Sequence, residues 1–426
     1  MVKLHAIVKA IAFLDLILLV LVQCPLFFSF TSQLFASILV VNVLMFTNLY
    51  SFRAFDIQVI TSLPKALACN LAAIFLGSLL IVILMRVFAI MISIYSLMAI
   101  IAPYLMLPFL NYLIGNYFIG KLQPKNYLVI GKEETFGRLL SEVRKALFGK
   151  LNPAEYINPE PSTFDLALHN PRNRINAVLV SDMNLVRNIA VPLAKLKRLK
   201  IFYLSDVAEA SLGRIPLEVL ASFSDYYEKL FCLNKHSPAK RVFDISAAIF
   251  LLSVSFPFLI VFALLIYLES GAPIIFKQER IGQDNEIFTM YKFKTLKEVP
   301  ESANPNDNIE SRVTKIGRLM RKTRLDEFPQ LINVLKGEMS LIGPRPEMIY
   351  FHKMCIENIP YYSYRNLLKP GITGWAQEKY QHTTTLEEYK RKTEYDLYYV
   401  KNKGFLLDLL IILRTSATML GAKGSR

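Results

Sequence analysis

The sequence predicts a multi-domain membrane protein: a four-helix transmembrane region, a central small doubly wound α/β domain, and a C-terminal α-rich α+β domain with a re-entrant membrane helix. Three observations predict it. Of 426 residues, 53% are hydrophobic and 19% charged, yet the net charge is +15; soluble domains usually carry about 25% charged residues. Long stretches near the start carry no charge at all. From Asn126 the texture changes to short apolar runs alternating with amphipathic ones. The boundaries fall at residues 1–120, 121–232 and 236–426.

A basic, apolar chain is one whose Lys and Arg face the cytosol and anionic headgroups or phosphates. Nucleic-acid-binding domains share the basic charge but not the apolarity, so no nucleic-acid partner is expected. Between residues 10 and 110 the only charges are Asp15, Arg53, Asp56, Lys65 and Arg86. The intervals suffice to cross a hydrocarbon core of ~30 Å, which predicts spans near 7–24, 31–50, 66–85 and 87–110. Pro25 and the polar patch at residues 29–33 separate the first two. With four spans, Lys3, Lys9, Arg53, Lys65, Lys121 and Lys125 fall on one side and Arg86 alone on the other. That agrees with the positive-inside rule. No small-residue cleavage pattern follows the first apolar run, so a removable leader is not expected. Asp15 reads equally as a functional group and as a polar contact between helices. The four cysteines, Cys24, Cys69, Cys232 and Cys355, form no Cys-x-x-Cys pair and read as packing residues.

The α/β part has strand-like runs at residues 127–131, 176–180 and 200–204, with amphipathic helix at 136–148 and a further helix between the last two strands. This is a small Rossmann-like layout. Its first turn, Gly131 to Gly137, holds two glycines, and Glu133 and Glu134 would repel a pyrophosphate. A regulatory or assembly role fits this domain better than dinucleotide binding.

Residues 242–268 are again membrane-grade, interrupted by Pro257. Lys235, Lys240 and Arg241 precede the stretch and Lys277 and Arg280 follow it, so both ends favour the cytosol. Pro257 removes a helix hydrogen bond, and Ser253 and Ser255 are placed to satisfy freed backbone groups. A helix that enters, bends and returns fits both facts; a Pro-kinked span is the alternative. The apolar run at 405–413, broken by Asp408, reads as an interfacial helix. Tyr395, Tyr398 and Tyr399 read as headgroup-level or core aromatics.

The segment 312–324 holds six basic residues and no acid. Beside a membrane it reads either as an attraction to anionic lipid or as a diphosphate clamp. Asp326 and Glu327 follow directly. Alone, they are acids opening a helix; after the basic run, they are ionised groups near any bound phosphate. One would attack phosphorus and the other hold a divalent ion, for which magnesium is suited. Pro344 and Pro346 stiffen the turn that aims Arg345. Trp375, the only tryptophan, sits in the turn at 369–377 and reads as an interfacial anchor, a packing corner or a stacking surface.

Residues from Lys240 onward resemble the bacterial sugar transferases, the polyprenyl-phosphate glycosylphosphotransferases also described as monotopic phosphoglycosyl transferases. The resemblance rests on residues 276–282, 291–295, 323–337 with Asp326-Glu327, 343–346, 370–377 and 395–399. The N-terminal half resembles the long exopolysaccharide-type members in layout. The resemblance implies that the Pro257 helix is re-entrant and that Asp326 is the nucleophile on a UDP-sugar, expelling UMP. It implies that Glu327 binds Mg2+, that undecaprenyl phosphate is the acceptor, and that Lys292, Arg321 and Arg345 contact phosphate. Lys292 comes from the resemblance alone; the other site residues also follow from the residue pattern. It also implies a cytoplasmic (inner) membrane location with catalysis on the cytoplasmic face, and leaves homo-oligomers and polysaccharide-assembly partners open. Two positions depart from the pattern. Phe256 replaces the usual serine before Pro257, and Glu378-Lys379 stands where an Asn-Gly-Arg segment is common. The alternative function is a nucleotide-sensing membrane regulator with a lipid-docking C-terminal module. A membrane-anchored epimerase or dehydratase lacks its dinucleotide fingerprint here.

Overall fold

The computed structural model describes residues 2–27, 32–87, 94–157, 174–183, 185, 200–233, 237–297, 312–380 and 385–420. Most of the patch at 29–33, the helix expected between the last two parallel strands, Lys235 and His382 lie outside the described residues.

The first part is helical: α1 (Val2–Phe27), α2 (Ser32–Ser51), α3 (Ile57–Ile60), α4 (Leu63–Val87), α5 (Ile94–Ile101) and, after a 3-10 turn at Ala102–Leu105, α6 (Leu107–Lys121). Ala6–Gln23, Leu63–Met85 and Leu97–Lys121 are long and apolar enough to cross a membrane, and α2 is a further apolar helix of 20 residues. The fourth apolar segment therefore ends eleven residues beyond the expected Leu110, at Lys121. Pro103 and Pro108 do not stop it, because each sits in the first positions of its helical turn, where an N–H is unpaired anyway. Several polar groups bond between these helices. Asn111 Nδ2 donates to Asp15 Oδ2 at 2.8 Å, so Asp15 makes a helix–helix contact. Tyr104 Oη donates to Asn42 Oδ1 at 2.6 Å, and Asn42 Nδ2 donates to Gln23 Oε1 at 2.6 Å.

The central part holds a parallel four-stranded sheet of β1 (Lys125–Ile130), β2 (Leu151–Ile157), β3 (Ala177–Val180) and β4 (Lys200–Tyr203), in the order β2-β1-β3-β4. Leu128 to Ile130 and Val178 to Val180 are fully buried, as strands covered on both faces must be. The sequence reading missed β2. Asn152 and Pro153 are poor strand formers, and Pro is tolerated because this strand is at the edge. The helices α7 (Glu133–Ala146), α8 (Leu204–Leu212), α9 (Leu217–Ser222) and α10 (Ser224–Leu233) complete this part.

The C-terminal part begins with α11 (Pro238–Ser270), a 33-residue helix containing Pro257 and about 50 Å long at the usual rise. An antiparallel hairpin of β5 (Ile275–Ile281) and β6 (Ile287–Phe293) follows. Then come α12 (Lys315–Thr323), a 3-10 turn at Leu325–Glu327, α13 (Gln330–Lys336), β7 (Ser340–Ile342) and α14 (Ile349–Asn358). A second 3-10 segment, Tyr362–Leu367, leads to β8 (Gly371–Thr373), parallel to β7. The chain closes with α15 (Trp375–Lys379), α16 (Leu386–Asn402) and α17 (Phe405–Leu420).

Both ends of α11 are held by this C-terminal part. At its start, Lys240 pairs with Asp408 at 2.7 Å, and Arg241 caps the carbonyls of Val334 and Leu335 at the end of α13. Buried Asp244 accepts from Ser340 Oγ and Leu341 N. At its other end, Glu269 accepts from Lys315 N at 2.7 Å and Ile316 N at 3.0 Å, satisfying the first amides of α12. Ser255 donates to Leu251 O at 2.6 Å. A helical hydroxyl reaches back three or four residues, so Ser255 serves that carbonyl and not the Ser253 carbonyl opposite Pro257.

The parts meet through ion pairs, each with at least one buried partner. Arg53 pairs with Glu378, and Arg414 with Asp56 at 2.8 Å, joining the α2–α3 loop to α15 and α17. Arg214 pairs with Glu394 and Glu142, and Trp375 Nε1 donates to Gly213 O at 2.7 Å while its ring stacks on Tyr398. The tryptophan is a packing corner. Tyr399 is buried and donates to Asp408 Oδ1 at 2.6 Å, so it is a core aromatic. The helix at 405–413 packs against α2 as well as β7 and β8. Cys355 is buried as expected, whereas Cys232 is exposed.

Candidate functional site

The basic segment forms α12, whose first turn is closed twice, by Glu269 and by Thr314 Oγ1 accepting from Gly317 N at 2.9 Å. Gly317 is required because a Cβ there would lie 2.4 Å from Thr295 O. That close approach brings Arg321 Nε to Thr295 Oγ1 at 3.0 Å. The helix stops where Arg324 turns left-handed, with φ of 54°. The 3-10 turn that follows sends the two adjacent carboxylates in different directions.

Glu327 points inward and is buried. Its Oε1 accepts from Lys292 Nζ on β6 and from Arg345 Nη2, each at 3.0 Å. Asp326 stays half-buried beside this cluster. Leu325, just before it, packs with Ile266, Phe293 and Met320 against the second half of α11. The carboxylate pair therefore sits where the membrane-grade helix meets the cationic side chains.

Burial pushes the Asp326 carboxyl up, and the charge of Glu327 adds to this; Lys292 and Arg321 pull it down without cancelling the rise. Burial would raise Glu327 too, but Arg345 and Lys292 outweigh it and hold that carboxyl far below the usual carboxylate range. Lys292 is itself lowered by burial, partly offset by Glu327. Adjacent carboxylates are thus driven apart. Such separation marks sites where two like groups take different roles.

Arg345 follows β7 on a turn whose glycines permit very close backbone approach. A Cβ on Gly343 would lie 2.3 Å from Lys369 O, and one on Gly371 would lie 2.0 Å from Gly343 N. The sequence reading missed the side chains that hold this turn: Arg280, Arg365 and Asp396. Arg280 and Asp396 lie inside the blocks that carry the resemblance. Arg365 carries only the weak signal of a charge among aromatics, between Tyr361 and Leu367.

Lys379 does not join the cluster. It pairs with Glu378 at 3.6 Å and lies over the Trp375 ring. In the central sheet, Glu133 and Glu134 occupy the first turn of α7, and Gly131 lies against Ser181. A hollow lined by residues 356–363 includes none of the site residues.

For a divalent ion, the described residues offer no cluster of three His, Cys, Asp or Glu side chains. They do offer Glu327, a carboxylate held ionised. That donor set fits magnesium, which keeps most of its coordination for water and phosphate oxygens.

Comparison with known proteins matches residues 235–422 to a family model described as bacterial sugar transferase. A UDP-N-acetylgalactosamine-undecaprenyl-phosphate N-acetylgalactosaminephosphotransferase of Aeromonas hydrophila is 36% identical over 233 residues, covering 54% of this chain and 55% of the relative. An uncharacterised sugar transferase of Bacillus subtilis (strain 168) is 41% identical over 185 residues, covering 43% of this chain and 89% of the relative. A UDP-glucose:undecaprenyl-phosphate glucose-1-phosphate transferase of Escherichia coli (strain K12) is 39% identical over 183 residues, covering 41% of this chain and 39% of the relative. The chain thus spans about half the length of the Aeromonas relative.

Proposed function

The chain belongs to the bacterial sugar transferases, and on that premise we propose that it transfers a sugar 1-phosphate from a UDP-sugar to undecaprenyl phosphate, releasing UMP. The observation that carries the reading is the Asp326-Glu327 pair, set among Lys292, Arg321 and Arg345 and packed through Leu325 onto α11. A phosphate donor and a lipid acceptor meet there.

In this reading the Asp326 carboxylate attacks the sugar-linked phosphorus. The bond to the bridging oxygen breaks, and UMP leaves with the bond's electron pair. A phosphate oxygen of undecaprenyl phosphate then attacks the same phosphorus, giving the lipid diphosphate sugar and returning Asp326 as carboxylate. Glu327 keeps Lys292 and Arg345 aimed before substrate arrives. Glu327 would hold Mg2+, which would supply charge neutralisation on the diphosphate.

The same reading assigns residues 1–120 to anchoring, 121–232 to regulation or assembly, and 236–426 to catalysis. It places catalysis on the cytoplasmic face of the inner membrane, as the first membrane step of exopolysaccharide or related glycan synthesis. Two facts support a re-entrant α11: both its ends are tied to one body, and most of its exposed side chains, among them Phe250, Val254, Phe258 and Val261, are apolar.

The test is UMP release from a panel of UDP-sugars by membranes supplied with undecaprenyl phosphate. Asp326→Asn should lower it by about three orders of magnitude or more, as loss of a covalent nucleophile does. Full turnover by that variant sinks the nucleophile assignment.

A further inference from the structure

The turn that carries Arg345 has an unusual shortage of donors. In Pro344-Arg345-Pro346 only the arginine has a backbone N–H, so the turn must be held through its carbonyls. All four consecutive carbonyls from residue 344 to 347 are held. Pro344 O accepts from Gly371 N at 2.9 Å, and Glu347 O accepts from Ile281 N at 3.0 Å. The two between them are held by side chains: Arg345 O accepts from Arg365 Nη2 at 2.9 Å, and Pro346 O from Arg280 Nη1 at 3.2 Å.

Arg365 is built for this. It is 3% exposed, its Nε donates to Asp396 Oδ2 at 2.9 Å, and its Nη1 donates to Tyr362 Oη at 3.1 Å. The planar fork is thus fixed on two sides before it reaches the turn. Asp396 stands on α16, and Lys392, one turn earlier, pairs with Glu347 at the far end of the same turn.

We infer that Arg365, oriented by Asp396, is a positioning residue that aims Arg345 at the phosphate groups of the substrate. The inference rests on the reading of Arg345 as a phosphate contact. It goes further, because Arg365 acts on the backbone of that residue and touches no substrate. A charge merely balancing Asp396 would need no fork and no bond to Arg345 O.

The experiment measures binding of inorganic diphosphate to the detergent-solubilised full chain by calorimetry, alongside KM and kcat for a UDP-sugar. The double variant Arg365→Met/Asp396→Leu replaces a buried ion pair by apolar groups, an exchange that folds tolerate. It should melt near the wild-type temperature, and its diphosphate affinity should fall about ten- to a hundredfold, the loss that ångström-scale misplacement brings. KM should rise in step. Arg365→Lys keeps the charge beside Asp396 but not the fork, and it should be weakened similarly; it decides the matter if the double variant does not fold. Wild-type affinity in Arg365→Lys, or in the folded double variant, overturns the positioning role alone. Wild-type diphosphate affinity in Arg345→Ala overturns the phosphate-contact reading, and the inference with it.

Discussion

The central sheet and the C-terminal part make opposite uses of similar material. The central sheet has the topology of nucleotide-binding domains, four parallel strands with a glycine turn after the first. Yet Glu133 and Glu134 take the helix N-terminus where a phosphate would sit. Among the described residues the C-terminal part has two-stranded sheets, but its glycines at 317, 343 and 371 let backbones approach closely in the segments that carry Arg321 and Arg345. In the proposed reading the sign of the charges at the turn, rather than sheet topology, decides where the phosphates go.

Predictions follow this contrast, from the largest effect downward. Arg345→Ala should cut kcat/KM for the UDP-sugar about a hundredfold, the scale of a lost charge-assisted hydrogen bond pair. Steady-state UMP release measures it, and a loss under threefold would move the phosphate grip elsewhere. Gly343→Ala forces a Cβ to within 2.3 Å of Lys369 O, so it should destabilise the chain by roughly 1–3 kcal/mol. A thermal melt in detergent reads this.

The pH profile comes next. In the proposed mechanism Asp326 must be ionised to attack, and its carboxyl is raised by burial and by Glu327. The acid limb of kcat should therefore lie above the ordinary aspartate value of about 3.9, and a limb below that value would contradict the assignment. Stability moves with opposite sign for the two carboxylates. Glu327 is lowered on folding, so it contributes stability above its unfolded value near ~4.3 that is lost as pH falls further. Asp326, raised, contributes below its unfolded value and loses that contribution as pH rises.

The smallest effect belongs to the central sheet. Gly137 lies inside α7, where an added Cβ would come 3.3 Å from the flexible Glu133 side chain. Gly137→Ala should stabilise that helix by about 0.5–1 kcal/mol and leave UMP release within twofold. A large loss of turnover would mean that the glycine turn takes part in transfer after all.

Much of the site was legible in the sequence because it is local. Asp326-Glu327 follow the basic run directly, and Arg345 lies between two prolines. Lys292 is different. It reaches Glu327 across 35 residues from a strand, and no local pattern announces that pairing, so it came from the resemblance alone. Arg365 was illegible for a further reason: its target is a backbone carbonyl, which every residue has. In the fold, the parallel strands β1 and β3 were clear from their apolar runs, whereas edge strand β2 was hidden by Pro153. The fourth apolar segment runs past the expected Leu110 to Lys121, through Pro103 and Pro108, each of which opens a helical turn.

The pairs joining Arg53 to Glu378 and Asp56 to Arg414 also set an order of assembly. Their partners lie 325 and 358 residues apart in sequence. At ordinary synthesis rates Asp56 precedes Arg414 by roughly 20–70 s. The later-made α15 and α17 thus lock the earlier-made helices to the rest of the chain.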